Sequence, residues 1–214
     1  MNTLTVPIRS LFIAALLLLS ACSVLGSGQR DPVTIYSPQV DIAADPAWPS
    51  VDWQLALVKP TAARVVDSPR IAVRPVPGEI QVYKSVSWSQ PPTEMVESVL
   101  LKAFEDSGRI PGVARSGTGI DARFRLIMDL RRFEADYAGA AVPSAVIELN
   151  AKLLDVREQR VVASRTFTES RPAAGTDVLQ VAQAFNQALE QVGGQIIGWT
   201  LVSGRADAAR SVQD

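Results

Sequence analysis

Residues 123–137 read RFRLIMDLRRFEADY, and their alternation decides the fold. Phe124, Leu126, Met128 and Leu130 fall on one parity, and Arg123, Arg125, Asp129 and Arg131 on the other. Successive side chains of a strand point to opposite faces, so this stretch reads as a long strand with one buried and one solvated face. The parity breaks at Arg132-Phe133, as it does where a bulge inserts an extra residue. Downstream, a hairpin through Gly139 and Pro143 leads to residues 146–156, with Ile147, Leu149, Ala151 and Leu153 facing inward. Arg157-Glu158-Gln159 then turns into a third strand over 160–169. Three consecutive strands with short links predict an antiparallel meander.

Two helices have the matching shape. Pro91-Pro92 suits a first helical turn, where a missing N–H costs nothing. The stretch to Ser107 places Val96, Val99, Leu100, Ala103 and Phe104 on one face, and Gly108 ends it. Asp177, with Gln180 three residues on, caps a second helix. Its stripe is Val178, Ala182, Phe185, Leu189, Val192, Ile196 and Trp199, which suits a helix lying on its own sheet or a short coiled coil. Gly193-Gly194 within it implies a close backbone approach.

Residues 54–59 and 70–76 read as strands, and 79–87 as a third short strand or an irregular crossing segment. Residues 33–53 carry Pro38, Pro46 and Pro49 and read as an extended arm with one edge strand at Val33-Thr34-Ile35-Tyr36. Gly112 to Gly119 reads as a loop, because it lacks the Lys-Ser/Thr of a phosphate-binding loop and has no strand leading into it. The expected fold is an α/β two-layer sandwich, a mostly antiparallel sheet with two helices packed on one face. One domain is expected over residues 33–200, with a disordered tail over 201–214.

The N-terminus has its own logic. Arg9 precedes an apolar run from Leu11 to Leu19, too short for a stable span of about 30 Å of hydrocarbon, so residues 1–21 read as a signal peptide. The run ends in Leu19-Ser20-Ala21-Cys22, a lipobox-like sequence whose thiol is the single cysteine of the chain. Acylation of Cys22 would consume a thiol that is otherwise a liability in an oxidising compartment. Residues 22–32 then form a lipidated tether.

Composition narrows the chemistry. The chain has 214 residues, 47% hydrophobic and 20% charged, with a formal charge of −1 and no histidine. There is no His or Cys cluster for zinc, no Cys/His or Ser/His nucleophile pair and no positive field for nucleic acid. No cofactor or metal is expected. Glu79, Glu94, Glu97, Glu105, Asp106 and Glu134 could supply a pair of carboxylates for hydrolysis, but their spacing selects none. Binding and position, not bond-making, fit this composition best.

Several phrases resemble one family. They are Lys59-Pro60-Thr61-Ala62, then Pro69-Arg70-Ile71-Ala72-Val73-Arg74-Pro75 with Pro77-Gly78-Glu79, and Tyr83 and Trp88 before the first helix. Ala103-Phe104-Glu105-Asp106-Ser107-Gly108-Arg109, Asp129-Leu130-Arg131-Arg132-Phe133-Glu134 and the terminal Ile197-Gly198-Trp199-Thr200 complete the set. Together they resemble the ABC-type transport auxiliary lipoproteins, PqiC-like components of systems in which MCE proteins carry lipid across the envelope. The pattern departs at Ser89-Gln90-Pro91-Pro92, where the family usually has an acidic residue and a Leu-Pro step.

The resemblance implies an α/β fold, a periplasmic location and a supporting role beside an MCE subunit, an ABC permease and an ATPase. Ser23 after the acylated cysteine implies, by analogy, export to the outer membrane. Homo-oligomerisation is left open. The candidate docking residues are Arg70, Arg74, Trp88, Arg131 and Arg132, types enriched at interfaces, and the alternative for them is an ordinary solvated sheet face. A free-standing lipid-binding module or a carboxylate-dependent hydrolase is the competing functional reading.

Overall fold

The computed structural model describes residues 32–211. The expectations placed on the signal peptide, on Cys22 and on most of the tether lie outside those residues. From Val33 onward the chain forms one compact unit.

Ten strands and two helices follow in the order β1 (Thr34–Tyr36), β2 (Gln54–Leu57), β3 (Thr61–Ala62), β4 (Ala72–Arg74), β5 (Gln81–Val82), β6 (Val86–Trp88), α1 (Pro92–Asp106), β7 (Gly112–Arg115), β8 (Phe124–Asp136), β9 (Ser144–Asp155), β10 (Arg160–Pro172) and α2 (Val178–Arg210). β8, β9 and β10 form the expected antiparallel meander. Phe124, Leu126, Met128 and Leu130 all point inward, each no more than 1% exposed.

The sheet as a whole is mixed, which corrects the mostly antiparallel expectation. Along its other edge β8 pairs in parallel with three short segments in succession: β2 opposite 124–126, β3 opposite 129–130 and β4 opposite 135–136. β7 adds in parallel outside β2. A parallel partner must arrive through a crossover, here α1 between β2 and β7, and such long-range pairing leaves no local mark in the sequence. β7 lies where a glycine-rich loop was expected. A small second sheet pairs β1 with β6 in parallel.

Both helices cover one face. α1 buries Met95, Val96, Leu100, Ala103 and Phe104, and Val96 and Leu100 meet Ile147 and Leu149 of β9 together with Leu189, Val192 and Ile196 of α2. The Asp177 side chain accepts from the Leu179 N–H at α2's start, as its capping role requires. The helix then runs to Arg210, ten residues past the expected end of the domain, so the tail expected from 201 is helical over most of its length. Its stripe continues through Leu201, Gly204 and Asp207, all buried. Of these only Leu201 reads as apolar in sequence.

Besides the sheet, the arm packs against the C-terminal half of that long helix. A Cβ added to Gly193 would lie 2.4 Å from Ile42 Cδ1, one on Gly198 2.7 Å from Trp48 Nε1, and one on Gly204 2.4 Å from Trp53 Cζ2. Residues 42–53 thus run along α2 in its own direction, and missing side chains on the helix make the groove that seats them. The close approach expected at Gly193-Gly194 is real at Gly193 and repeats twice further on.

Candidate functional site

Of the candidate docking residues, Arg74, Arg131 and Arg132 lie on or near the sheet face turned away from the helices. On β8 that face carries Arg125, Ile127, Asp129 and Arg131. Its register sets Asp129 opposite Asn150, and Ile127 opposite Lys152, on β9. β10 continues it with Ser164 beside Lys152 and Thr166 beside Asn150, and Asn150 Nδ2 donates to Thr166 Oγ1 at 3.0 Å. The result is a ladder of polar side chains. Lys152, Ser164, Thr166 and Thr168 are exposed; the β9 members were legible in the alternation of 146–156, although no docking role was assigned to them, and the β10 members were not.

A bulge between Leu130 and Arg132 sets the two adjacent arginines apart from one another. It lies one residue earlier than the parity break suggested. Arg131 stays exposed, 45% by its side chain, and pairs with Asp129 at 3.2 Å and Glu148 at 3.6 Å. Arg132 instead reaches Glu134 at 2.7 Å and also Asp136. Arg74 comes across from β4 and donates twice to Glu134, at 2.9 and 3.0 Å. Glu134 is 2% exposed.

Arg74 and Arg132 are therefore spent on a buried carboxylate. Both guanidinium groups are charged whatever they touch, and the hydrogen bond to Glu134 is the chief cause that raises the pKa of Arg74 further. Such a charge-assisted fork holds β4 against the far end of β8. Two of the phrases that carry the family resemblance, 69–75 and 129–134, meet in this network.

The remaining two candidates separate. Arg70 is exposed but precedes β4 and belongs to a turn in which its N–H donates to Ser68 Oγ. Trp88 is 2% exposed, edge-on to Phe133 at 5.9 Å and to Phe185 at 5.2 Å. Its role as a docking aromatic is corrected: β6 sits between β1 and the core, so its last side chain turns inward. Trp88 is a core residue.

Five of the six candidate carboxylates are tied to different neighbours. Glu94 pairs with Lys59, Glu97 with Arg115, Asp106 with Lys102 and Glu134 with Arg74 and Arg132, while Glu79 accepts from Gln81 and Glu105 is exposed. Among the described residues no group of three His, Cys, Asp or Glu side chains could hold a metal ion, and no helix is long and apolar enough to cross a membrane. The larger hollows are open to solvent, and one of about 370 Å³ beside Val51, Trp53 and Ala208 is mainly apolar. Another, of about 360 Å³, lies between the arm and α2, bordered by Asp45, Trp48, Glu190 and Gln195.

A mixed sheet with two helices on one face and a polar ladder on the other defines a two-layer α/β domain. The chain belongs to the ABC-type transport auxiliary lipoprotein component family, whose sequence model matches residues 34–197. The crystal structure of protein XCC0632 from Xanthomonas campestris, assigned to DUF330, is similar at 55% identity with a TM-score of 0.81, covering 83% of this chain and 99% of that one. A second crystal structure, of an uncharacterized protein, shares the fold at 11% identity with a TM-score of 0.61, covering 78% of this chain and 97% of that one. Protein bll6063 of Bradyrhizobium diazoefficiens is 26% identical over 158 residues; the match takes in 74% of this chain but only 42% of that protein's length.

Proposed function

We propose that this protein is a non-catalytic, membrane-tethered subunit of an MCE-type ABC transporter that moves lipid between membranes. Acylation of Cys22 holds it in the periplasm, at the outer membrane, and the bare sheet face receives the MCE-domain partner, which in turn works with the permease and the ATPase. The observation that carries this reading is the polar ladder around Arg131 on a domain that belongs to a transport-auxiliary family. A face of hydrogen-bonding and charged side chains, with few large apolar groups, suits a partner steered by charge more than one held by a greasy patch.

The test separates docking from folding. Arg131→Glu combined with Lys152→Glu reverses two exposed cations without touching the Glu134 network. Co-purification of the MCE subunit with the tagged, acylated chain should fall while secretion and yield stay normal, and undiminished co-purification rejects the docking face. Arg132 is not a suitable target, since its reversal would strand Glu134 and Asp136 among like charges.

A further inference from the structure

Among the described residues, six of the ten large apolar side chains that stay exposed lie toward one region; Val65, Val161, Leu179 and Val202 do not belong to the group. Val76, Ile80 and Val142 occupy two loops, Val82 lies on β5, and Val33 and Ile35 lie on the first strand or just before it, all between 37% and 64% exposed. Single exposed apolar residues need no explanation, but a group of them does.

Backbone pairing fixes where they are. β4 runs parallel to β8 with Arg74 opposite Asp136, and the Tyr137 N–H donates to the Arg74 carbonyl at 3.0 Å. The loop 75–80 and the hairpin 137–143 therefore leave the sheet side by side. β5 returns antiparallel to β4, and the chain keeps that direction: the Tyr83 N–H donates to the Ile71 carbonyl and the Trp88 N–H to the Pro69 carbonyl. β1 is parallel to β6 and so runs against β4. Its N-terminal end thus points toward the end of the sheet from which the two loops project.

The charge distribution agrees. Residues 137–143 contain no charged side chain and loop 75–80 only one, the exposed Glu79, which accepts from Gln81, and the hairpin exposes Ala138 to Val142. Just beneath, two arginines and two carboxylates neutralise one another: Arg74, Arg132, Glu134 and Asp136.

We infer that this end of the domain rests against a lipid surface, with the tip of the 137–143 hairpin and Val76 seated among the headgroups. The inference builds on the proposed acylation of Cys22. Ten residues lie between Cys22 and Val33, and the eleven residue-to-residue steps reach about 36–40 Å when fully extended. An anchor on so short a leash holds the loops at high local concentration beside the bilayer, so a contact too weak to bind a free protein suffices. A protein partner covering the same loops is the competing occupant.

The experiment uses the full, acylated chain in vesicles of phosphatidylethanolamine and phosphatidylglycerol. Ala140→Cys is labelled with an environment-sensitive fluorophore, and Lys152→Cys on the sheet face serves as the aqueous reference. Position 140 should emit at shorter wavelength and be quenched by iodide several-fold more slowly than position 152, and adding Val142→Asp, which sets a carboxylate against the anionic headgroups, should abolish the difference. Equal quenching at the two positions, or shielding of 140 only after a protein partner is added, overturns the inference. Mass spectrometry of the same sample separates the failures. An unmodified Cys22 rejects the anchoring reading and this inference with it, whereas an acylated Cys22 with an unprotected position 140 rejects this inference alone.

Discussion

Arg131 and Arg132 are neighbours in sequence with opposite fates, and the difference lies in a single inserted residue. The bulge leaves Arg131 on the open face, 45% exposed, with Asp129 and Glu148 as loose partners. An exposed pair of this kind contributes about 0–1 kcal/mol. Arg132 and Arg74 share Glu134, which is buried. Removing one partner of a buried pair strands the other, although Arg74 and Arg132 are 23% and 32% exposed by their side chains, so partial solvation reduces the penalty. Glu134→Ala should cost about 2 kcal/mol and Arg131→Ala under about 0.5 kcal/mol, read from urea unfolding midpoints. Equal midpoints would show that the network is not what fixes β4 to β8.

At the scale of elements, the glycines of α2 respond with opposite signs. A Cβ at Gly194 would sit 3.8 Å from Ile42 Cγ2, an ordinary contact. Gly194→Ala should therefore collect the helix-propensity gain and stabilise by about 0.5–1 kcal/mol. At Gly204 the added atom would lie 2.4 Å from Trp53 Cζ2, against a rigid ring that is 5% exposed. Gly204→Ala should destabilise by about 1–3 kcal/mol through overpacking; thermal unfolding of the two variants checks both signs. The same contrast explains what the sequence discloses. The meander and the two apolar stripes are local periodicities and were legible. The edge strand at Thr34–Tyr36 was also legible, from its β-branched residues. β3, β7 and the parallel pairing along β8 were not, because short strands set by distant partners carry no period of their own. The end of α2 was hidden for a third reason: its stripe continues as Gly204 and Asp207, and a residue type that is buried only because Trp53 and Arg160 cover it cannot be recognised before they are in place. Among the candidate site residues, alternation found the open face and Arg131, but only the register distinguished Arg132 and Arg74, and only the core identified Trp88.

Across the whole molecule, two successive stretches of α2 are fastened to the rest of the fold by different chemistry. Along α2 the arm lays Ile42, Trp48 and Trp53 into the glycine-lined groove, an apolar closure that is insensitive to pH. Beyond Trp53 the last turns of α2 are held by charge. Asp207, 1% exposed, accepts from Arg160 at the start of β10 at 2.9 Å and from Arg210 at 3.1 Å. Burial pushes its carboxyl up, but the two arginine hydrogen bonds outweigh that and hold it below the ordinary value of 3.8. A carboxylate depressed in the native state stabilises fully above its unfolded value, and the contribution disappears as pH falls through the native one. The clasp should therefore be intact at neutral pH and fail only below 3.8. Asp207→Asn should lower the urea midpoint at neutral pH, and the gap to the parent should close as the solution is acidified through that range. A gap that persists unchanged in strong acid would mean that Asp207 acts through its shape and neutral hydrogen bonds, leaving the end of α2 to be held by Trp53 and the arm alone.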